Sequence, residues 1–286
     1  MKKFLTGLFT FLFVALDVFL VGWVLFKDNK ADVDIPSNDS SMIESVTDDV
    51  NIDVYGVYKI AVANGSVTEL SGENGKIVFT GHTANATIQA MGSGNGVIKA
   101  ATGGELVFKN LIIEDKTTDT NTVLYATYLR FGGQLRFENC TFTDSIYLQT
   151  DANATFENCT FQSVRENCYS VWLADGSANF ENCTFTGYRG FKTNEFANCD
   201  VENVTINNCT FLGLTEKAGL AFGKFETNPT NTVIRVTNST FINCQVWDKE
   251  GSFSGVDGFY ETDMDLREFN FIHSNNVINF SVEAIW

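Results

Sequence analysis

The chain has 286 residues and a formal net charge of −16, with a sequence pI near 4.4. Nucleic acid and anionic lipid headgroups are disfavoured as partners, because both need a basic stripe. The 26 phenylalanines and two prolines suit a long, continuous apolar core more than a loop-rich surface.

Residues 1–3, with Lys2 and Lys3, read as a cytoplasmic tip by the positive-inside bias. The apolar run 4–26 is long enough to span a bilayer. It exceeds a secretory apolar centre and has no convincing small-x-small site before Lys27. It is therefore expected to be a transmembrane signal-anchor, with a cleaved signal as the alternative. Asp17 within it is read as a tolerated neutral acid. Residues 27–50 are polar and acidic and are expected to form a flexible acidic stalk. Residues 51–286 form the expected folded domain, with a cap near 251–286. The two histidines, His82 and His273, read as surface or coil-edge residues.

The centre of the chain repeats one phrase. Phe137-Glu138-Asn139-Cys140-Thr141-Phe142 recurs at Phe156–Phe161 and Phe180–Phe185, with looser copies at Ile206–Phe211 and Val236–Phe241. The Asn-to-Asn steps are 19, 24, 26 and 30 residues. Such a period marks a solenoid, in which each coil buries its apolar face on its neighbours. Within a copy, Leu135 and Phe137 alternate with Arg136 and Glu138, the period of a strand. Asn139 interrupts the alternation, and asparagine tolerates the left-handed backbone of a sharp bend. Cys140 and Phe142 then resume the inward set. The predicted fold is all-β: a single-stranded right-handed parallel β-helix preceded by an N-terminal transmembrane helix. Leucine-rich repeats and propellers fail on frame and length. Asn139, Asn158, Asn182, Asn208 and Asn238 should stack as one ladder. These triplets are also N-glycosylation sequons. The ladder is expected to face the coil interior, which would exclude a glycan.

Four of the seven cysteines (Cys140, Cys159, Cys183 and Cys209) share one slot. One per coil fits a small inward hydrophobe held as a free thiol, rather than a metal site with convergent ligands. The acids Glu138, Glu157 and Glu181 should stack outward on a solvated face. A second strand follows in each coil, through Ile146–Leu148, Val171–Leu173, Phe191 and Leu220–Phe222. If those apolar residues point inward, Tyr147, Trp172 and Lys192 point outward in or near one column. Arg189, Lys192, Lys217 and Lys224 crowd the neighbouring coils. Exposed aromatic faces can stack on sugar rings, and the cations can meet carboxylates of an acidic glycan. Near the C-terminus, Asp257, Glu261, Asp263 and Asp265 are a weak Ca²⁺ candidate. Their spacing matches no loop motif, and a solvated acidic turn is the expected reading. No cofactor is implied.

The stretch Gly104–Asp115 resembles the first full coil of pectin-lyase-like β-helix proteins. The Asn-Cys-Thr-Phe coils resemble those of adhesin-like prokaryotic surface proteins. The resemblance covers about residues 51–250 and is specific for fold, not activity. Hydrolases of that superfamily carry an Asn-Thr-Asp element, an Asp pair, Gly-His-Gly and Arg-Ile-Lys; none occurs here in order. The resulting expectation is a membrane-anchored, extracytoplasmic cell-surface β-helix that binds a glycan or a surface protein without catalysis. A polysaccharide lyase or hydrolase and a structural envelope or spacer protein are the alternatives.

Overall fold

The computed structural model describes residues 33–35, 50–62, 67–70, 75–93, 96–118, 128–149, 151–193, 201–215, 219–222, 232–244, 253–254, 260–262 and 270–279. The apolar run 4–26 and most of 27–50 lie outside them. Among the described residues there is no helix, and none long and apolar enough to cross a membrane.

Each coil contributes one strand to each of three sheets, which have nine, ten and nine strands. The coil at 134–148 shows the plan. Gln134–Glu138 belongs to the first sheet, Thr141–Phe142 to the second and Ile146–Leu148 to the third. Neighbouring coils pair parallel and in register. Phe137 sits beside Phe108 and Phe156, and Phe142 beside Phe161. The single antiparallel pair among the described strands joins Phe253–Ser254 to Tyr260–Thr262.

The period-2 alternation produces the core directly. Leu135, Phe137, Cys140 and Phe142 are buried, while Arg136, Glu138 and Thr141 are not. In-register phenylalanines stack face to face: Phe108, Phe137, Phe156 and Phe180 at 4.8–5.0 Å, and Phe142, Phe161, Phe185, Phe211 and Phe241 at 4.5–4.8 Å. The ring spacing equals the strand spacing. Each ring contributes its burial, about 1.5–3 kcal/mol, plus about 0.5–1.5 kcal/mol from the aromatic contact.

The asparagine line exists, at the corner between the first and second sheets. Asn110, Asn139, Asn158, Asn182, Asn208, Asn238 and Asn275 all have φ between 51° and 58°. Its expected direction is corrected: Asn139, Asn158, Asn182, Asn208 and Asn238 are exposed, not interior. A left-handed residue between two inward side chains turns its own side chain away from the coil. The amides still bond along the line, with Asn139 Nδ2 donating to Asn110 Oδ1 at 3.0 Å and Asn208 Nδ2 to Asn182 Oδ1 at 2.6 Å. The interior argument against glycosylation therefore falls away.

The cysteines behave as expected. All six that are described are buried free thiols. Those of the column donate to backbone carbonyls one coil away, such as Cys140 Sγ to Phe108 O at 3.3 Å and Cys159 Sγ to Phe137 O at 3.4 Å. Burial pushes the Cys244 thiol up to about 11.

Within the expected stalk, only Val33–Ile35 and Val50 are among the described residues, and Val33–Ile35 is a strand. It forms a parallel strand on Tyr58–Ile60 and so covers an edge of the second sheet that would otherwise present unpaired amides. At the other end, Asn270–Ser274 and Val277–Asn279 continue the first and second sheets as a last coil.

Candidate functional site

Of the residues singled out from the sequence, Tyr147, Trp172, Arg189 and Lys192 lie on strands of the third sheet. Register places Arg130 beside Tyr147, Tyr147 beside Trp172, and Trp172 beside Lys192. They form one column across four coils, as the alternation predicted. Tyr169 lies beside Arg189 on the same pair of strands.

Trp172 is corrected in one respect: it points away from the core but is only 2% exposed. Tyr128, Cys168 and Tyr147 pack around it as a second, small apolar cluster outside the coil. Its ring meets Tyr128 at 5.5 Å and Tyr147 at 5.4 Å, both edge-on. An indole left in water would forfeit a large apolar area, and Tyr128 covers it from the segment before the third-sheet strand. The Tyr128 hydroxyl accepts from the backbone N–H of Tyr169 at 2.9 Å, and burial raises its pKa far above the usual phenol value.

The cations lie on these rings. Lys192 Nζ is 4.8 Å from the Trp172 ring centre and 5.2 Å from that of Tyr169. The Arg189 guanidinium is 5.4 Å from the Tyr169 centre, and the Arg130 guanidinium is 5.4 Å from that of Tyr147. Arg189 Nη2 also donates to Asn167 Oδ1 at 2.7 Å. Ring faces attract such cations, and Arg130 Nη1 also donates to Gln149 Oε1 at 3.4 Å. Tyr147, Arg189 and Lys192 are thus brought together around a covered Trp172. Lys217 and Lys224 lie outside the described residues, as do Asp257, Asp263 and Asp265. Glu261 is placed by its backbone alone, beside Ala221. Arg130 and Tyr169 were missed, although extending the strand alignment one coil towards the N-terminus would have found Arg130.

The acidic column on the first sheet is a charge lattice. Glu138, Glu157 and Glu181 are in register. Arg136 bridges Glu138 at 2.9 Å and Glu157 at 2.8 Å, and Lys109 meets Glu138 at 2.8 Å. His82 sits at the coil edge, bonded to Asp53 at 2.7 Å and stacked on Tyr55. His273 is exposed.

A second constellation had no signal in the repeat. Asp115, within the second-sheet strand Ile112–Thr118, and Asp144, just past Thr141–Phe142, come from adjacent coils. Arg165, from the next coil, reaches Asp144 Oδ1 at 3.3 Å and Asp115 Oδ2 at 3.8 Å. The Asp115 side chain is 2% exposed and that of Asp144 11%. Thr117 donates to Asp115 from both its N–H and its hydroxyl, at 2.9 and 2.6 Å, and the Asp115 N–H donates to Asp144 Oδ2 at 3.1 Å. Burial raises the Asp144 carboxyl above its ordinary value. The Asp115 N–H and Arg165 oppose that rise, and the Asp115 charge reinforces it. A raised acid beside a second carboxylate is an arrangement that can hold and transfer a proton.

Among protein families, the one described as right handed beta helix region matches residues 47–187 and 144–286. The chain belongs to the right-handed β-helix family. Among solved structures, this β-helix is similar to the pectin methylesterase from Aspergillus niger in deglycosylated form. Identity is 14%, the match covers 86% of this chain and 81% of that one, and the TM-score is 0.48. No curated protein matches the β-helix chain.

Proposed function

We propose that this chain is a membrane-anchored, extracytoplasmic β-helix that binds an acidic polysaccharide on its third-sheet face and does not cleave it. The observation that carries the reading is the row of ring-mounted cations, Arg130, Lys192 and Arg189, in a chain of net charge −16. A concentration of cations on one face of an acidic protein selects an anion, and guanidinium groups bind carboxylates two-pronged. A uronic-acid polymer offers carboxylates at regular intervals, and could meet Arg130 on one coil and Lys192 with Arg189 three coils on, about 14 Å away. The half-buried Tyr147 adds a partly open ring edge for sugar contact. The apolar run 4–26 supports the anchor, and Lys2-Lys3 supports a cytoplasmic tip.

Calorimetric titration with polygalacturonate and alginate tests the reading. Binding should weaken steeply with salt. It should drop at least tenfold in the Arg130→Ala, Arg189→Ala, Lys192→Ala triple variant while circular dichroism stays unchanged. Failure of the native chain to bind either polymer would sink the reading.

A catalytic reading is favoured by one observation, the Asp115–Asp144–Arg165 cluster with its raised Asp144 carboxyl. In that reading, Asp144 supplies a proton and Asp115 the paired carboxylate. Release of reducing sugar ends or methanol from a pectin panel, abolished in Asp144→Asn, would establish it in place of simple binding.

A further inference from the structure

The outer face of the second sheet carries a different chemistry from either neighbour. Thr141, Thr160, Thr184, Thr210 and Thr240 lie in strict register on five consecutive coils. At about 4.8 Å per coil the row is roughly 19 Å long. All five are half-buried, with the next residue, a phenylalanine in each case, locked in the core. None of the five hydroxyls has a protein partner among the described residues. By contrast, the hydroxyls of the adjacent Thr143 and Thr186 donate back to the carbonyls of Ile113 and Phe161. The second outward column, about 6.6 Å along the strand, reads Thr143, Gln162, Thr186, Leu212 and Ile242. No charged residue stands in either column across these five coils.

Strand propensity alone does not explain that composition. Threonine favours strands, but the first sheet faces the same pressure and mixes Thr155, Thr205 and Thr237 in its outward columns with Arg136, Arg235, Glu138, Glu157 and Glu181. The second face is also without an aromatic ring in those columns, so it lacks the flat apolar surface that stacks on sugars. What it offers is a rigid row in which every step presents one free hydroxyl and one methyl. Threonine is β-branched and stiff about χ1, and the stacked phenylalanines beneath hold the strands flat. A fixed row of hydroxyls can each bond one water, and the methyls between them exclude disordered water from the gaps.

We infer that this face binds crystalline water, ordering a row of waters that matches the surface of ice. It is a separate face from the cation row on the third sheet, and the two readings stand or fall independently.

The full-length protein in mild detergent is cooled past a seeded ice crystal under a nanolitre osmometer. Partition into a growing ice front is measured in parallel. Faceted crystals and enrichment in the ice are expected. Thr160→Lys combined with Thr184→Lys should reduce both to the buffer control. Thr184→Val, which keeps the shape and loses one hydroxyl, should weaken them with circular dichroism unchanged, and Glu157→Lys on the first sheet should leave them intact. Rounded crystals with no enrichment for the native chain would overturn the inference. So would retention of activity in the double lysine variant. Binding to insoluble cellulose or chitin that is lost in the lysine variants, with ice growth unaffected, would assign the face to a neutral glycan instead.

Discussion

The corner between the first and second sheets and the outer surface of the third sheet obey different rules. At the corner, one asparagine per coil makes the turn, with φ near 55° each time, and the flanking residues repeat almost letter for letter. On the third sheet, the connecting segments vary in length and the outward residues change from coil to coil: Arg130, Tyr147, Trp172, Lys192 and then Ala221. Where a single backbone geometry must recur, side chains are fixed by packing. Where the connection is free to vary, each coil can carry something of its own. The regular side holds the molecule together, and the irregular side can acquire a partner.

Substitutions on the two sides should differ in their cost. The largest effect is expected at the regular side. Phe156→Ala removes a ring stacked on Phe137 and Phe180 at 5.0 and 4.8 Å and should cost about 3–5 kcal/mol in urea unfolding. Next comes the irregular side's own small core. Trp172→Ala, cut from Tyr128 and Tyr147, should cost about 3 kcal/mol and disorder the aromatic cluster, visible as a lost near-ultraviolet signal. At the turn, Asn158→Val forces a β-branched residue into the left-handed region and should cost about 1–2 kcal/mol. Asn158→Gly should cost little there. A comparable loss in both would show that the side-chain line, not the backbone, secures the corner.

The smallest effect concerns Asp144. Its folded-state carboxyl titrates above the unfolded one, with burial as the leading cause. The folded state therefore holds the proton more tightly through the window just above the ordinary carboxylate value. Stability should be highest below that window and fall as pH rises through it. Asp144→Asn should flatten this slope in thermal melts taken across mildly acidic pH, and an unchanged slope would locate the titration elsewhere.

Much of this architecture was legible from spacing. The strand alternation, the inward cysteines, the third-sheet register and the column through Tyr147, Trp172 and Lys192 all follow from one repeated phrase. The direction of the asparagines was misread. Strict alternation after Glu138 puts Asn139 inside, but Cys140 is inside as well, and only a left-handed residue pointing outward reconciles the two. The burial of Trp172 was not legible because its cover, Tyr128, belongs to a segment outside the repeat. Asp115, Asp144 and Arg165 were missed because three coils each supply one residue: the 29-residue step from Asp115 to Asp144 equals that from Asn110 to Asn139, but the Asn110 coil lacks the repeated phrase. Only the coil-to-coil register brings them to one corner.

The matched spacing of rings and strands has a consequence for how such a molecule can grow. Because Phe137 on Phe156 and Phe156 on Phe180 are nearly the same contact, the interface between coils does not record which coil it joins. A duplicated segment of gene encoding one coil would slot between its parents without repacking either. It would lengthen the rod by about 4.8 Å and carry a fresh set of third-sheet positions open to selection.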